Sequence, residues 1–203
     1  MQWEKVSFTD ERWQLSGHLI GLLLRLTNNA MIRNAEASLL TNAKQEKQNM
    51  TENLEKVKLL ARDLRDGKEF PRSPRATLAG YVLAARAVDK CRAVLVDWQG
   101  DYHSNCPLDQ RWLNFAEIDY GDFRQLVANG STDDEIAIWI EKNAKKRPRA
   151  EIVAWNNKER DLRLSDLPPE LQEFMENYIQ RYVPRNRVVY HWFDVYDLEE
   201  QRI

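Results

Sequence analysis

Helix-start signals recur through the second half of this chain, and they constrain its fold more than any other feature. Cys106 precedes Pro107, and proline suits the first position of a helix because the N–H group that it lacks would have no partner there. Thr132, Pro148 and the segment 166–170 begin further stretches in a similar way. The pattern predicts a series of helices, over 107–116, 119–128, 132–144, 148–160 and from 166–170 to residue 182.

The composition also favours helices, because the chain has only seven glycines and seven prolines among 203 residues. An all-β protein of this length needs many more tight turns. Upstream of residue 67, a seven-residue apolar repeat among polar side chains predicts a long amphipathic helix over 33–64, marked by Ala43, Met50, Val57 and Leu64. A more apolar helix that ends near residue 27 precedes it, so we expect an N-terminal helical hairpin over 1–66.

The remaining domain, 67–203, is expected to begin with a helix capped by Ser73, with Pro74 in its first position, and to continue to Val96. At the other end, 187–196 is rich in β-branched and aromatic residues, which is typical of a strand. Its partner would be the 94–103 stretch or the same strand of a second subunit. The expected fold class is therefore mainly α with a small C-terminal β element.

Charge and cysteine content narrow the class of protein. The net charge of −2 gives no global field that would attract nucleic acid or a membrane. The two cysteines lack a CxxC spacing, and the first residues lack the order of a signal peptide, so a cytoplasmic protein is expected. The most apolar stretch, 15–26, is too short to span a bilayer. No phosphate-binding glycine loop and no metal-ligand spacing of histidines occurs, which predicts neither cofactor nor metal.

The loop before Pro107 is the first candidate site. If Cys106 caps a helix, its sulfur lies at the positive end of the helix dipole, where thiols become reactive. His103 is then a candidate base, and Tyr102 and Asn105 are candidate ligand-binding residues. The alternative is a capping residue that happens to be cysteine, which is favoured by the acidic Asp109 in the first turn.

A second candidate site lies on the helix expected to end at Val96. Asp89 falls in the middle of an apolar row, with Arg86 and Arg92 three residues away on either side. A buried carboxylate must be paired, so these residues form either a structural ion pair or one wall of a pocket for a polar ligand.

The basic stretch 142–149, followed by Trp155, is a third candidate, because cations beside an aromatic side chain can bind single-stranded nucleic acid. The stretch is short and belongs to an acidic protein, so a solvated helix end is the stronger interpretation and nucleic acid an unlikely partner.

Several motifs resemble those of an uncharacterised bacterial family, number five-thousand-and-sixty-nine in the domain-of-unknown-function series. They occur in order over residues 61–203, and they include PRSPR at 71–75, YHSNCPLDQR at 102–111, EIVAWN at 151–156 and WFDVYDLEEQRI at 192–203. The resemblance implies no reaction, cofactor or catalytic residue. The N-terminal hairpin lies outside it.

These observations support two classes of function. The first is a small-molecule-binding protein or enzyme with a polar pocket near Tyr102, His103, Cys106 and Asp89, in which Cys106 and His103 would be catalytic. The second is a non-catalytic interaction or oligomerisation module. The two differ in whether the polar residues converge on one concave pocket.

Overall fold

The computed structural model describes residues 39–203, so the apolar helix of the expected N-terminal hairpin lies outside the described residues. The chain divides into two compact units, Met1–Asn49 and Met50–Ile203. Helix α1 occupies 39–60 of the described part. Its residues in the first unit are exposed, and in the second unit Val57 is its one buried residue.

Helix α1 ends at residue 60, so the prediction that it continues to 64 is wrong. The side chain of Asp63 explains the early end, because its carboxylate accepts a hydrogen bond from the Arg65 backbone N–H at 3.2 Å. Such local side-chain bonds compete with the helical ladder. The backbone N–H of Leu64 instead donates to the Trp98 carbonyl at 2.9 Å, and the Leu64 side chain is buried.

A two-stranded hairpin replaces the expected start of the next helix. Strands β1 (Thr77–Leu78) and β2 (Tyr81–Val82) are antiparallel. Ala79 and Gly80 between them have φ values of 49° and 83°, as the commonest two-residue hairpin turn requires. The prediction of a helix from Pro74 is therefore wrong. Ser73 begins a turn instead, in which its hydroxyl oxygen accepts a hydrogen bond from the Arg75 backbone N–H at 3.1 Å.

The central element is helix α2, Ala84–Leu95, which ends one residue before the predicted boundary. Ten consecutive residues from Ala84 to Ala93 are buried. The helix contacts β1 and two of the helices that follow it. A helix that is buried on every side must also bury whatever charges it carries, and α2 carries four.

The middle of the chain folds as the helix-start signals predict. The helices are α3 (Pro107–Ala116), α4 (Tyr120–Ala128), α5 (Asp133–Asn143), α6 (Arg149–Arg160) and α7 (Pro169–Tyr182), with a short 3₁₀ helix at Leu164–Asp166. Thr132 and Glu135 form a capping box, in which each side chain accepts a hydrogen bond from the other residue's backbone N–H. These local interactions confirm the five predicted helices.

The predicted C-terminal strand is wrong, because Trp192–Glu199 forms helix α8. A single antiparallel bridge between Arg163 and His191 is the β pairing of that region, and 94–103 does not take part. Arg75 shows why the helix is preferred: its guanidinium binds Asp194 and Asp197, each at 2.5 Å. Carboxylates three residues apart share a face on a helix but point to opposite faces of a strand.

One hydrophobic core unites these elements. Its largest fully buried apolar side chains come from the hairpin edge and helices α3, α4, α5, α7 and α8, namely Leu83, Trp112, Leu113, Phe123, Ile136, Ile140, Met175, Trp192 and Phe193. Burying each of them stabilises the fold by about 1.5–3 kcal/mol before the entropic cost of ordering is subtracted. Within 39–203, no helix is long and apolar enough to cross a membrane.

Candidate functional site

Helix α2 places four charged side chains in the interior, and each meets an opposite charge from a different part of the chain. The pairs are Arg86 with Glu200, Asp89 with Arg72, Lys90 with Asp109, and Arg92 with Asp133. All four side chains of α2 are at most 4% exposed. Buried pairs of this kind fix the position of a helix, because an unpaired buried charge costs several kcal/mol.

Asp89 belongs to a cluster of ion pairs away from the candidate loop. Its oxygens accept hydrogen bonds from the Arg72 backbone N–H at 2.8 Å, from Nε at 2.9 Å and from Nη2 at 2.8 Å. Arg72 also reaches Asp133 at 2.5 Å, and Arg92 binds the other oxygen of Asp133 at 2.7 Å. The arginines that pair with Asp89 are therefore Arg72 and, at 3.5 Å, the half-exposed Arg62, rather than the flanking Arg86 or Arg92 named by the sequence.

A cavity of about 380 Å³ lies between α2, the 101–108 segment, α7 and α8. Four of the sequence-predicted residues line it: Arg86, Tyr102, His103 and Cys106. Asp89, Arg92 and Asn105 do not. The wall also contains residues that sequence reasoning missed, most notably Lys90, Phe174, Tyr178, Trp192 and Tyr196.

The polar end of this cavity is formed by Cys106 and Lys90. Cys106 is the N-cap residue of α3, as predicted, although its sulfur makes no capping hydrogen bond. Instead, the sulfur lies 3.1 Å from Nζ of Lys90, which is also 2.8 Å from Oδ1 of Asp109. The second oxygen of Asp109 accepts from the Asn105 backbone N–H at 3.0 Å. Asn105 thus acts through its backbone, at a left-handed φ of 63° that asparagine tolerates better than most residues.

His103 lines the same cavity and is exposed. Within the part of the chain that the structure describes, no hydrogen bond joins it to Cys106. The nucleophile–base pair expected from the sequence is therefore present in one cavity but is not assembled as a hydrogen-bonded pair.

Arg86 and Tyr102 form a second polar group around one carboxylate. Glu200 accepts from Arg86 at 2.9 and 2.5 Å and from the Tyr102 hydroxyl at 3.0 Å. Burial acts to lower the pKa of Arg86, but the hydrogen bonds and the charge of Glu200 outweigh it and raise that pKa overall. Burial and, secondly, the charge of Glu200 raise the pKa of Tyr102. Arg86 therefore stays cationic, and Tyr102 stays a neutral donor.

Tyr178 of α7, which also lines the cavity, makes a similar contact with the neighbouring carboxylate. Its hydroxyl donates to Glu199 at 2.7 Å, and burial is the main cause that raises the pKa of each of the two groups. The Tyr178 ring packs on Tyr182 and Tyr196, with centroids 4.5 and 6.3 Å away. This wall is aromatic, and its hydroxyl is held in place by a carboxylate.

The two cysteines differ sharply in their surroundings. Cys91 is 1% exposed, and burial raises the pKa of its thiol to about 11. Cys106 is half-buried at the cavity wall. Only the second thiol is in a position to meet a ligand.

Two cations of the basic stretch, Lys145 and Arg147, are paired with carboxylates. Lys145 binds Glu117 at 2.5 Å, and Arg147 binds Glu151 at 2.5 Å and the Phe115 carbonyl at 3.1 Å. The Arg147 guanidinium also lies 4.4 Å from the Phe115 ring centroid. These contacts join α3 to the start of α6, and whether the stretch meets nucleic acid stays a prediction.

Taken together, the fold and the cavity define a class: a mainly α domain built around one buried, charge-bearing helix, with an aromatic-walled cavity at its side. Comparison of the sequence with family models identifies the particular family. The chain belongs to the family described as "Domain of unknown function (DUF5069)", whose model matches residues 68–202, about two-thirds of the chain. This match confirms the resemblance found in the sequence motifs. A comparison with curated proteins found no match.

Proposed function

We propose that this protein is a cytoplasmic small-molecule-binding protein or enzyme whose ligand occupies the cavity beside Cys106. The observation that carries the proposal is the contact of the Cys106 sulfur with Lys90 Nζ, 3.1 Å apart, at the wall of an aromatic-lined cavity. Two free cysteines suit a reducing compartment.

The size and lining of the cavity support a small ligand. Ligand sites in proteins typically have volumes of roughly 300–1,000 Å³ and combine apolar walls with a few fixed polar groups. Here the apolar surface comes from rings such as Phe174, Tyr178, Trp192 and Tyr196, and the thiol and the ammonium lie together among the polar groups of the wall. A planar, largely apolar molecule with one polar end fits this distribution.

Two chemical roles are open to the thiol. In an enzyme, Cys106 would attack an electrophilic carbon of the ligand, with Lys90 stabilising the charge that develops and His103 moving a proton. In a binding protein, the same groups would only hold the polar end of the ligand. Asp89 takes part in neither role, because its oxygens are occupied by Arg72.

The test compares two reagents that carry the same reactive group. Chloroacetamide and N-phenylchloroacetamide both alkylate thiols, but only the second has a ring to bind the aromatic wall. We expect the phenyl reagent to label Cys106 with a rate that saturates with concentration, because binding precedes reaction. Chloroacetamide should react slowly and linearly, and Cys91 should remain unlabelled by both.

A pair of variants controls this experiment. Phe174 and Tyr190 are exposed aromatic residues, 56% and 65% respectively, but only Phe174 lines the cavity. Phe174→Ala should abolish the saturation, and Tyr190→Ala should preserve it. If both reagents react at the same unsaturated rate in the unmodified protein, the cavity is not a ligand site.

An interaction module is the second candidate, and exposed apolar side chains favour it. Val188 is 74% exposed and Tyr190 is 65% exposed, in the segment before α8. A homo-oligomer that covers this segment should be detected by light scattering and should dissociate in the Val188→Lys variant. A monomer at all concentrations would remove this candidate in its homo-oligomeric form.

A further inference from the structure

Beyond ligand binding, the geometry of the cavity wall points to a modification. We propose that mild oxidation by hydrogen peroxide joins Cys106 to Lys90 through a covalent sulfur–nitrogen bond. The two atoms already lie 3.1 Å apart, and they belong to different helices, since Lys90 is in α2 and Cys106 caps α3.

Lys90 cannot move away from the sulfur as a surface lysine would. Its side chain is 4% exposed, and Asp109, which is 2% exposed, holds its ammonium at 2.8 Å. The usual entropic cost of bringing a flexible lysine to a thiol is therefore already met by folding. Folding thus places the ammonium beside the sulfur before any oxidant arrives.

The sulfur is accessible to a small oxidant, whereas the other cysteine is not. Cys106 is half-buried and lines the cavity, and hydrogen peroxide is scarcely larger than water. Cys91 is 1% exposed, and burial raises its pKa to about 11, so the thiolate that reacts with peroxide is scarce there. Oxidation should therefore begin at Cys106.

The chemistry balances in two steps. The Cys106 thiolate attacks one peroxide oxygen and the O–O bond breaks, so the sulfur is oxidised to sulfenic acid and the peroxide is reduced to hydroxide. The hydroxide takes a proton from the Lys90 ammonium and becomes water, which leaves Lys90 as a neutral amine. The amine attacks the sulfenic sulfur, the S–N bond forms and the S–O bond breaks. Asp109 accepts the proton that the nitrogen loses and passes it to the departing hydroxyl, which leaves as water. In sum, thiolate, ammonium and one peroxide give a sulfenamide and two waters.

The product would remove the free thiol and the positive charge of Lys90 from the cavity wall and tie α2 to the start of α3. Thiols reverse sulfenamides, so the change would be reversible in a reducing compartment. This inference does not depend on which ligand the cavity binds, because it uses only protein atoms and peroxide.

The test is mass spectrometry of the full chain after treatment with a few equivalents of hydrogen peroxide. The Cys91→Ser variant is used so that no intramolecular disulfide can form. We expect a loss of about 2 Da from the intact mass, reversed by dithiothreitol, because the link removes two hydrogens. After trypsin, the segments that contain residues 90 and 106 should be joined, without cleavage after Lys90. In the peroxide-treated protein that retains Cys91, fragment ions should place the link on residue 90 rather than on residue 91.

Lys90→Arg is the matched variant, because arginine keeps a positive charge facing Asp109 but has no nucleophilic amine. Its Cys106 should gain oxygen atoms instead of forming a link. The proposal is overturned if the protein with Lys90 also gains only oxygen, or if its main product is a disulfide between two chains.

Discussion

Replacing Asp89 by asparagine removes the charge of the one carboxylate in helix α2 and leaves the size of the side chain almost unchanged. Asp89 is 3% exposed and accepts three hydrogen bonds from Arg72. An asparagine side chain offers one oxygen and one NH₂ group. Whichever way it is turned, the NH₂ group faces at least one N–H of Arg72, so at least one bond is lost and the others lose their charge.

The size of the effect follows from those bonds. A hydrogen bond to a charged group contributes about 1.5–3 kcal/mol, and breaking a buried ion pair costs about 3–5 kcal/mol. Arg72 is 26% exposed and retains its contact with Asp133, so its charge is not left without a partner. We therefore expect a loss near the lower end, about 3 kcal/mol in the free energy of unfolding.

Urea denaturation measures this loss. With an m-value of about 3 kcal/mol/M, the midpoint should fall by roughly 1 M without a change in slope. Asp63→Asn is the matched control, because Asp63 also binds an arginine, Arg65, but in an exposed pair. That variant should unfold close to the midpoint of the unmodified protein.

A loss below about 1 kcal/mol for Asp89→Asn would refute this reasoning. It would mean that the Arg72 contacts contribute almost nothing to stability. Asp89 would then have to be retained for another reason, and it would move to the head of the functional residues.

Two further predictions concern pH and capping. Burial raises the pKa of Tyr102, Tyr178 and Tyr196 above the ordinary value of 10.0, so their phenols ionise more readily in the unfolded chain. Stability that is complete below pH 10 should therefore fall as pH rises further, as urea denaturation at a series of pH values would measure; a free energy of unfolding that stays constant above pH 10 would contradict this. Thr132→Ala removes the capping box of α5 and should lower the unfolding free energy by about 1 kcal/mol in urea denaturation, whereas unchanged stability would show that the cap is dispensable.

The helices between residues 107 and 182 could be predicted because their starts are decided locally. Pro107 and Thr132 act within one turn of their own position, and no distant residue has to be known. Ser73 and Pro74 gave a similar signal but a wrong prediction, because the same residues also suit a turn. The choice between turn and helix depends on Asn156, which donates to the Gly80 carbonyl at 2.7 Å and accepts from the Val82 N–H at 3.1 Å across 74 residues or more.

The C-terminal helix could not be predicted from intrinsic preference. Trp192, Phe193, Val195 and Tyr196 all favour strands, but the burial of this segment and its contacts with Arg75 select the helix. Tertiary contacts of this kind routinely override the intrinsic preference for a strand, and they cannot be predicted from the residues of the segment alone.

Part of the candidate site could be predicted because some of its residues are close together in the sequence. Tyr102, His103 and Cys106 are neighbours in sequence, so their proximity could be predicted, although whether they act on a ligand stays a prediction. Lys90 could not be predicted from the sequence, because it lies outside the apolar row that contains Asp89 and its contact with Cys106 spans 16 residues. Tyr178 enters the cavity from a helix with no sequence link to that loop.

The order in which a ribosome makes the chain gives the buried charges of α2 a further consequence. Helix α2 is synthesised before three of its four counter-charges, and Glu200 follows Arg86 only after 114 residues. Until Glu200 has left the ribosome, burying α2 would leave the charge of Arg86 in the interior without its carboxylate partner. The helix is therefore expected to remain partly exposed during synthesis. The nascent chain is thus expected to form its hydrophobic core in one cooperative step near the end of synthesis. Until that step it needs protection from aggregation.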